Sequence, residues 1–349
     1  SKGYFYYLKI QKELGKHFLS ISAMGAPQSH GQRSYKQPIT FFSGDYAEKY
    51  GISDSLINAG PNYGLSYNPH WGFLERYTID DNGDTTRAPN EVVSERVNYY
   101  HKPMFQMKDF WSVSDKLYIS NILYASIGKG GGTGNLGNVP MDSMGQHNYQ
   151  VVYNTNAFGQ FNSFNDQQFS STILRSSINN HYWFGGLSTF NYLANDQLTY
   201  SGGLDLRHYR GEHFRSIYDL LGGDFYFDNN NMNQTSNIKY INDTIDYHND
   251  GIVKWGGIFG QVEYKSGLIS TFLNVSGAYT GYKRIDYFKK KDLVIGDTVI
   301  SQAVGYGETY THNGQEYTSD SPEARYAQTD WKYIPGFTIK GGLNYNLNE

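Results

Sequence analysis

The chain has 349 residues, a formal charge of −4 and a pI near 6.2, which gives no support for nucleic-acid binding. It has no cysteine, so a disulfide framework, a zinc ribbon and thiol chemistry are excluded. No run approaches the roughly 18 apolar residues of a transmembrane helix, yet 33 Tyr, 20 Phe and 39 Gly stand beside only 9 Pro at a mean hydropathy of −0.61. That balance is hard to reconcile with a simple hydrophobic core. It suits a structure whose amphipathic rings sit at an interface while Gly, Ser and Asn fill the rest.

The opening Ser1-Lys2-Gly3-Tyr4 has no basic region, apolar run or cleavage site and enters a strand at once. Tyr4, Tyr6, Leu8 and Ile10 alternate with Phe5, Tyr7, Lys9 and Gln11, which predicts a first strand to Leu14, with a tight turn at Gly15-Lys16. Leu19, Ile21 and Ala23 continue the pattern until Pro27 breaks it, and a long polar loop follows. A third strand is expected over 97–111 and a fourth from Leu117 to Ile127, interrupted by Asn121 on its apolar face. A Gly-, Asn- and Gln-rich loop covers 129–179. His181 to Leu193 and Leu198 to Tyr209 form the next hairpin, in which Leu198, Tyr200, Gly202, Leu204 and Leu206 alternate with Thr199, Ser201, Gly203, Asp205 and Arg207. Strands over 253–264 and 269–279 turn at Lys265-Ser266-Gly267, and a last strand carries Phe337, Ile339, Gly341, Leu343 and Tyr345 against Thr338, Lys340, Gly342 and Asn344.

One strand with one apolar and one polar face fits a soluble sandwich as well as a membrane barrel. The rhythm decides between them. Turns of about two to four residues alternate with loops of about 40 to 65, which compact domains rarely carry and membrane barrels do. The expected fold is therefore all-β, a transmembrane antiparallel barrel. Nine strands is an odd number, whereas single-chain bacterial barrels have an even one, so residues 1–349 are expected to be a segment of a larger barrel.

Several stretches strengthen this. Gly25-Ala26-Pro27-Gln28-Ser29-His30-Gly31-Gln32-Arg33, Asn68-Pro69-His70-Trp71-Gly72, Asn98-Tyr99-Tyr100-His101-Lys102-Pro103, Ser126-Ile127-Gly128-Lys129-Gly130-Gly131-Gly132-Thr133-Gly134, Leu204-Asp205-Leu206-Arg207 and Gly222-Gly223-Asp224 occur in that order. Together they resemble the barrel region of TonB-dependent outer-membrane receptors. The resemblance implies a 22-stranded barrel closed by an N-terminal plug, and places plug, TonB box and closing C-terminal strands outside these residues. It implies import of a scarce nutrient (a metal chelate, glycan or peptide) across the outer membrane. The implied partners are the TonB complex acting through the plug, outer-membrane lipid and lipopolysaccharide, and a surface lipoprotein or other envelope subunits. A barrel serving as a structural subunit of a secretion or assembly complex is the alternative.

Chemical candidates are few. No Ser-His-Asp arrangement or carboxylate pair has a supporting motif, so no enzymatic activity is expected. Gly128-Lys129 lacks the Gly-x4-Gly-Lys-Ser/Thr spacing of a phosphate loop and is expected in a mobile extracellular loop. No cofactor is expected; the oxygen-rich segments Asp80 to Asp84 and 224–231 lack EF-hand spacing and read as solvated turns, with a loop Ca2+ as the alternative. His30, His70, His101, His181, His208 and His213 show no close metal-ligand spacing, so no metal site is assigned; His208 continues the apolar parity towards the lipid–water boundary. Asp205 and Arg207 share the lumen-facing parity, where they pair with each other or reach a substrate. Gln28, His30, Gln32 and Arg33 place two amides, an imidazole and a guanidinium at the barrel mouth just after Pro27, and Trp71 adds a stacking plane. These seven residues are the candidate binding surface; the alternative is that Gln28 and Arg33 pin loop backbone or the plug, and that Asp205 and Arg207 pair with each other or with the plug.

Overall fold

The computed structural model describes residues 1–33, 38–59, 68–142 and 145–347. Nine strands form its frame: β1 (Tyr6–Leu14), β2 (His17–Gly25), β3 (Met104–Ser114), β4 (Leu117–Leu136), β5 (Ile173–Leu193), β6 (Leu198–Asp219), β7 (Thr244–Ser266), β8 (Ile269–Asp286) and β9 (Lys332–Tyr345). Each pairs antiparallel with the next in chain order. With shorter strands at one end they make a single 13-stranded sheet. Positive φ at Gly15 and Gly267 closes two of the short turns, a conformation open to glycine at no steric cost.

Residues directly opposite across a ladder share a face. Leu19, Asp109, Asn121, Ser188, Leu204, Ile258, Gly277 and Phe337 lie on one such rung. On that face Leu8, Ile10, Ile21, Leu123, Leu206, Ile258, Leu273, Ile339 and Leu343 are all exposed, several at more than half of their full area. The opposite face carries Ser20, Ser22, Gln106, Lys108, Ser126, Asp205, Arg207, Gln261, Asn274 and Lys340. The alternation expected from the sequence is thus the alternation of the sheet.

The strands run well past the stretches in which alternation is legible. β4 to β8 have 20, 21, 22, 23 and 18 residues. The glycine run Gly128 to Gly134, expected as a mobile loop, lies inside β4, between His101–Asn98 on one side and His181–Arg175 on the other. The correction has a packing cause. A Cβ at Gly130 would come within 2.6 Å of the Tyr100 side chain, and one at Gly131 within 2.8 Å of Ser176 Oγ. Here glycine admits neighbours; it does not loosen the chain. Likewise Val97–His101 is a separate strand from β3, divided from it at Lys102-Pro103, as proline's missing donor requires.

The long connections also carry structure. Trp71–Leu74 pairs with Glu91–Ser94, Tyr77–Ile79 with Thr85–Arg87, and a helix spans Tyr149–Phe158. Its start is capped by the Asn148 side chain, which accepts the Val151 N–H at 3.2 Å. The buried apolar residues gather at this end of the molecule, in the connections and in the ends of the strands that meet them. Leu74, Val93, Val139, Tyr149, Val152, Tyr153, Leu174 and Leu221 form one cluster. Ile173, Ile217, Leu220 and Ile245 form a second, and Leu293, Val304 and Tyr317 a third. Adjacent strand residues point to opposite faces, so Ile173 and Leu174 enter different clusters and the upper sheet is covered on both sides.

Candidate functional site

The connections at the long-loop end bring together three side chains distant in sequence. Asn68 accepts the His70 N–H on Oδ1 at 3.1 Å, fixing the turn before Trp71. The register Trp71↔Ser94 then sets Glu95 beside His70, with the Glu95 N–H donating to the His70 carbonyl at 2.8 Å. From the other direction, the His147 N–H donates to the Trp71 carbonyl at 3.2 Å, one residue before the helix cap. A Cβ at Gly72 would run into the His147 carbonyl, so this approach requires glycine. Thr133 donates to the Glu95 carbonyl at 2.6 Å and accepts the Val97 N–H at 2.8 Å, tying the group to β4.

His70, Glu95 and His147 are 6%, 6% and 8% exposed. His70 Nδ1 lies 2.6 Å and His147 Nε2 2.9 Å from the same oxygen, Glu95 Oε2, while Arg96 Nε is 3.1 Å from Oε1. Burial pushes the carboxyl up, but the hydrogen bonds from His147 and His70 and the charge of Arg96 outweigh it and hold Glu95 at about 2. An ionised carboxylate only accepts, so both facing imidazole nitrogens carry their protons. His147 Nδ1, on the far side of its ring, is buried with no hydrogen-bond partner. Nearby, burial and the Glu95 charge push the Tyr149 phenol well above its ordinary value, and it donates to Asn135 Oδ1 at 3.1 Å.

The sequence missed this group because its members are 25 and 52 residues apart. His70 was visible as a residue but its partners were not. Gly72 was the one local sign of a close approach.

The residues expected to bind substrate fall in two places. Gln28 pairs with Tyr100, itself opposite Gly130 of β4, and His30 pairs with Asn98. The Gln32 N–H donates to the Arg96 carbonyl at 2.8 Å, and its side-chain amide is 3.5 Å from His30 Nε2. The Arg33 guanidinium sits 5.6 Å from the Phe42 ring centre. Trp71 meets Phe73 edge-on at 5.4 Å, directly beside His70. Asp205 and Arg207 lie lower, on a stretch of β6 whose rungs cross β4 at Ile122 and Tyr124. They pair with each other, Arg207 Nε to Oδ1 at 3.1 Å and Nη2 to Oδ2 at 2.5 Å, while the guanidinium stacks 4.5 Å over Trp255. Of the oxygen-rich segments, Asp80 accepts the Asn82 and Asp84 N–H groups as a self-contained turn, and Asp224 accepts the Gln168 N–H.

The structure is similar to that of the ferric-catecholate import receptor Fiu from E. coli K12, in an open form (TM-score 0.47, 10% identity) and a closed form (TM-score 0.46, 9% identity). Each alignment covers 99% of this chain, and 45% and 41% of the receptor chain respectively. The chain therefore spans less than half the length of those receptors. No family model and no curated protein matches the sequence.

Proposed function

We propose that the chain is part of the wall and outer cap of an outer-membrane barrel that imports a scarce nutrient, driven by the TonB complex through a plug. The observation that carries this reading is the apolar face of the sheet. Leu204, Leu206, Ile258, Leu273, Ile339 and Leu343 are 44–74% exposed on one continuous surface, which in water would be a large unpartnered patch and in a bilayer is the ordinary outer wall. The polar face then lines the lumen, and the Gln28-to-Arg33 segment with Trp71 lies at its mouth. Amide and guanidinium donors near an aromatic plane suit a metal chelate, a glycan or a peptide. Lipid, lipopolysaccharide and a surface lipoprotein are the neighbours such a wall would meet.

The test is uptake by cells carrying the full protein, with Gln28, Arg33 and Trp71 changed together to Ala. Loss of uptake with unchanged heat-resistant migration of the barrel supports ligand contact at the mouth. Uptake that survives removal of the protein from the cell, with other envelope proteins co-purifying in its presence, would make the barrel a structural subunit instead.

A further inference from the structure

We infer that His70, Glu95 and His147 form a binding site for one divalent transition-metal ion that locks the outer cap. The inference is independent of what the barrel transports. Two imidazole nitrogens and one carboxylate oxygen are the donor set of zinc and its neighbours, whereas calcium and magnesium take oxygen. The three ligating atoms lie within 4.8 Å of one another, and all three residues are buried. A tetrahedral ion with bonds of about 2.0–2.1 Å needs its ligands about 3.3 Å apart. The two N···O separations of 2.6 and 2.9 Å widen to that value by small rotations of the rings. The Arg96 guanidinium lies 3.1 Å from Oε1, which favours binding of the ion through Oε2 and leaves a fourth position for water.

The protons balance. Each imidazole nitrogen that now donates to Glu95 Oε2 gives up that hydrogen bond and offers its lone pair to the ion, and the ring proton moves to the other nitrogen. Ion binding replaces two hydrogen bonds converging on one oxygen by three bonds to one centre. The mechanical result is specific. His70 precedes the Trp71–Leu74 strand, Glu95 follows its partner Glu91–Ser94, and His147 precedes the helix Tyr149–Phe158. One ion would therefore pin a hairpin to a helix, and through Thr133 both to β4.

The test uses the full protein in detergent, stripped with a chelator and titrated with Zn2+ or Co2+ alone. Expected are a single high-affinity equivalent of Zn2+ and, for Co2+, the intense visible absorption of a tetrahedral site. Glu95→Gln and His147→Ala should each weaken Zn2+ by about tenfold or more, taking the scale of even indirect losses at metal sites, while His101→Ala should not. Zn2+ should also raise the melting temperature of the wild type but not of His147→Ala. Absence of a stoichiometric equivalent, or of the Co2+ bands in the wild-type protein, overturns the site without reliance on any variant. Equal Zn2+ binding by a His70→Ala/His147→Ala double variant that keeps its heat-resistant migration overturns it as well.

Discussion

Asp250 shows how the chain handles a charge removed from water. It is fully buried, and its Oδ2 accepts hydrogen bonds from Arg210 Nε at 2.8 Å and the Tyr287 hydroxyl at 2.8 Å, with Arg210 Nη2 ion-paired to it at 2.7 Å. Burial first, and then the hydrogen bond to Asp250 and its charge, push the Tyr287 phenol from 10.0 up to about 12. A phenol raised in the folded state contributes stability that is complete below pH 10 and is lost as pH rises through its folded value. An ultraviolet titration should therefore show one phenolate forming near pH 12, absent from Tyr287→Phe. Removing the carboxylate with Asp250→Ala takes one of two carboxylate partners from Arg210, Glu212 remaining at 3.3 Å, and that side chain is 43% exposed, so water recovers part of the loss. The expected cost is about 1–2 kcal/mol, below the ~3–5 of a fully buried pair, read from the denaturation midpoint.

At the scale of the strand, parity governs tolerance. Leu204→Arg or Leu273→Arg should cost about 2–4 kcal/mol near the bilayer midplane, whereas Arg at Ser201 or Asn274, on the opposite face, should be accepted with little change in refolding into vesicles. Equal cost on both faces would mean a soluble sheet. This parity was legible because it needs only neighbouring residues: Leu198 to Arg207 declares both faces by itself. The outer halves of β4 to β8 were not legible, because alternation stops once loops cover both faces. Gly128 to Gly134 then looks like a flexible tract, when its glycines are set by Tyr100 and Ser176 across the ladder. Pro27 did announce the end of β2, and Asp205 with Arg207 did announce a pair on one face. The His70–Glu95–His147 group stayed hidden because three connections create it and no spacing encodes it. One departure from parity runs through the sheet itself. Asp109 and Asn121 stand on the apolar face, and each is answered there, Asp109 by His17 at 2.9 Å and Asn121 by the Ser188 hydroxyl at 2.7 Å, so that neither stands unpaired among the apolar side chains.

For the whole molecule, the proposed orientation puts the short turns on one side of the membrane and the cap on the other. Asp196, in the β5–β6 turn, and Asn230, in the β6–β7 connection, are both exposed. In intact cells a membrane-impermeant thiol reagent should label cysteine at Asn230 and spare cysteine at Asp196; the opposite pattern inverts the topology. Cap stability can be probed separately from the wall. Leu174 is 1% exposed within the largest apolar cluster, and Leu174→Ala should cost about 2–5 kcal/mol. The loss should appear as faster proteolysis of the cap, with heat-resistant migration of the barrel retained.

That largest cluster fixes an order of events. Its members come from the first long connection (Leu74, Val93), the second (Val139, Tyr149, Val152, Tyr153), the wall at Leu174 and the third connection at Leu221. No single connection holds enough of it to collapse alone, and closing contacts across such separations is slow. In the proposed orientation each connection must therefore cross the bilayer as unfolded chain, and the cap condenses only after β3 to β6 have zipped together beneath it. A newly inserted barrel would pass through a stage with its wall complete and its outer surface still open to proteases, and the lifetime of that stage is set by how quickly the connections find one another.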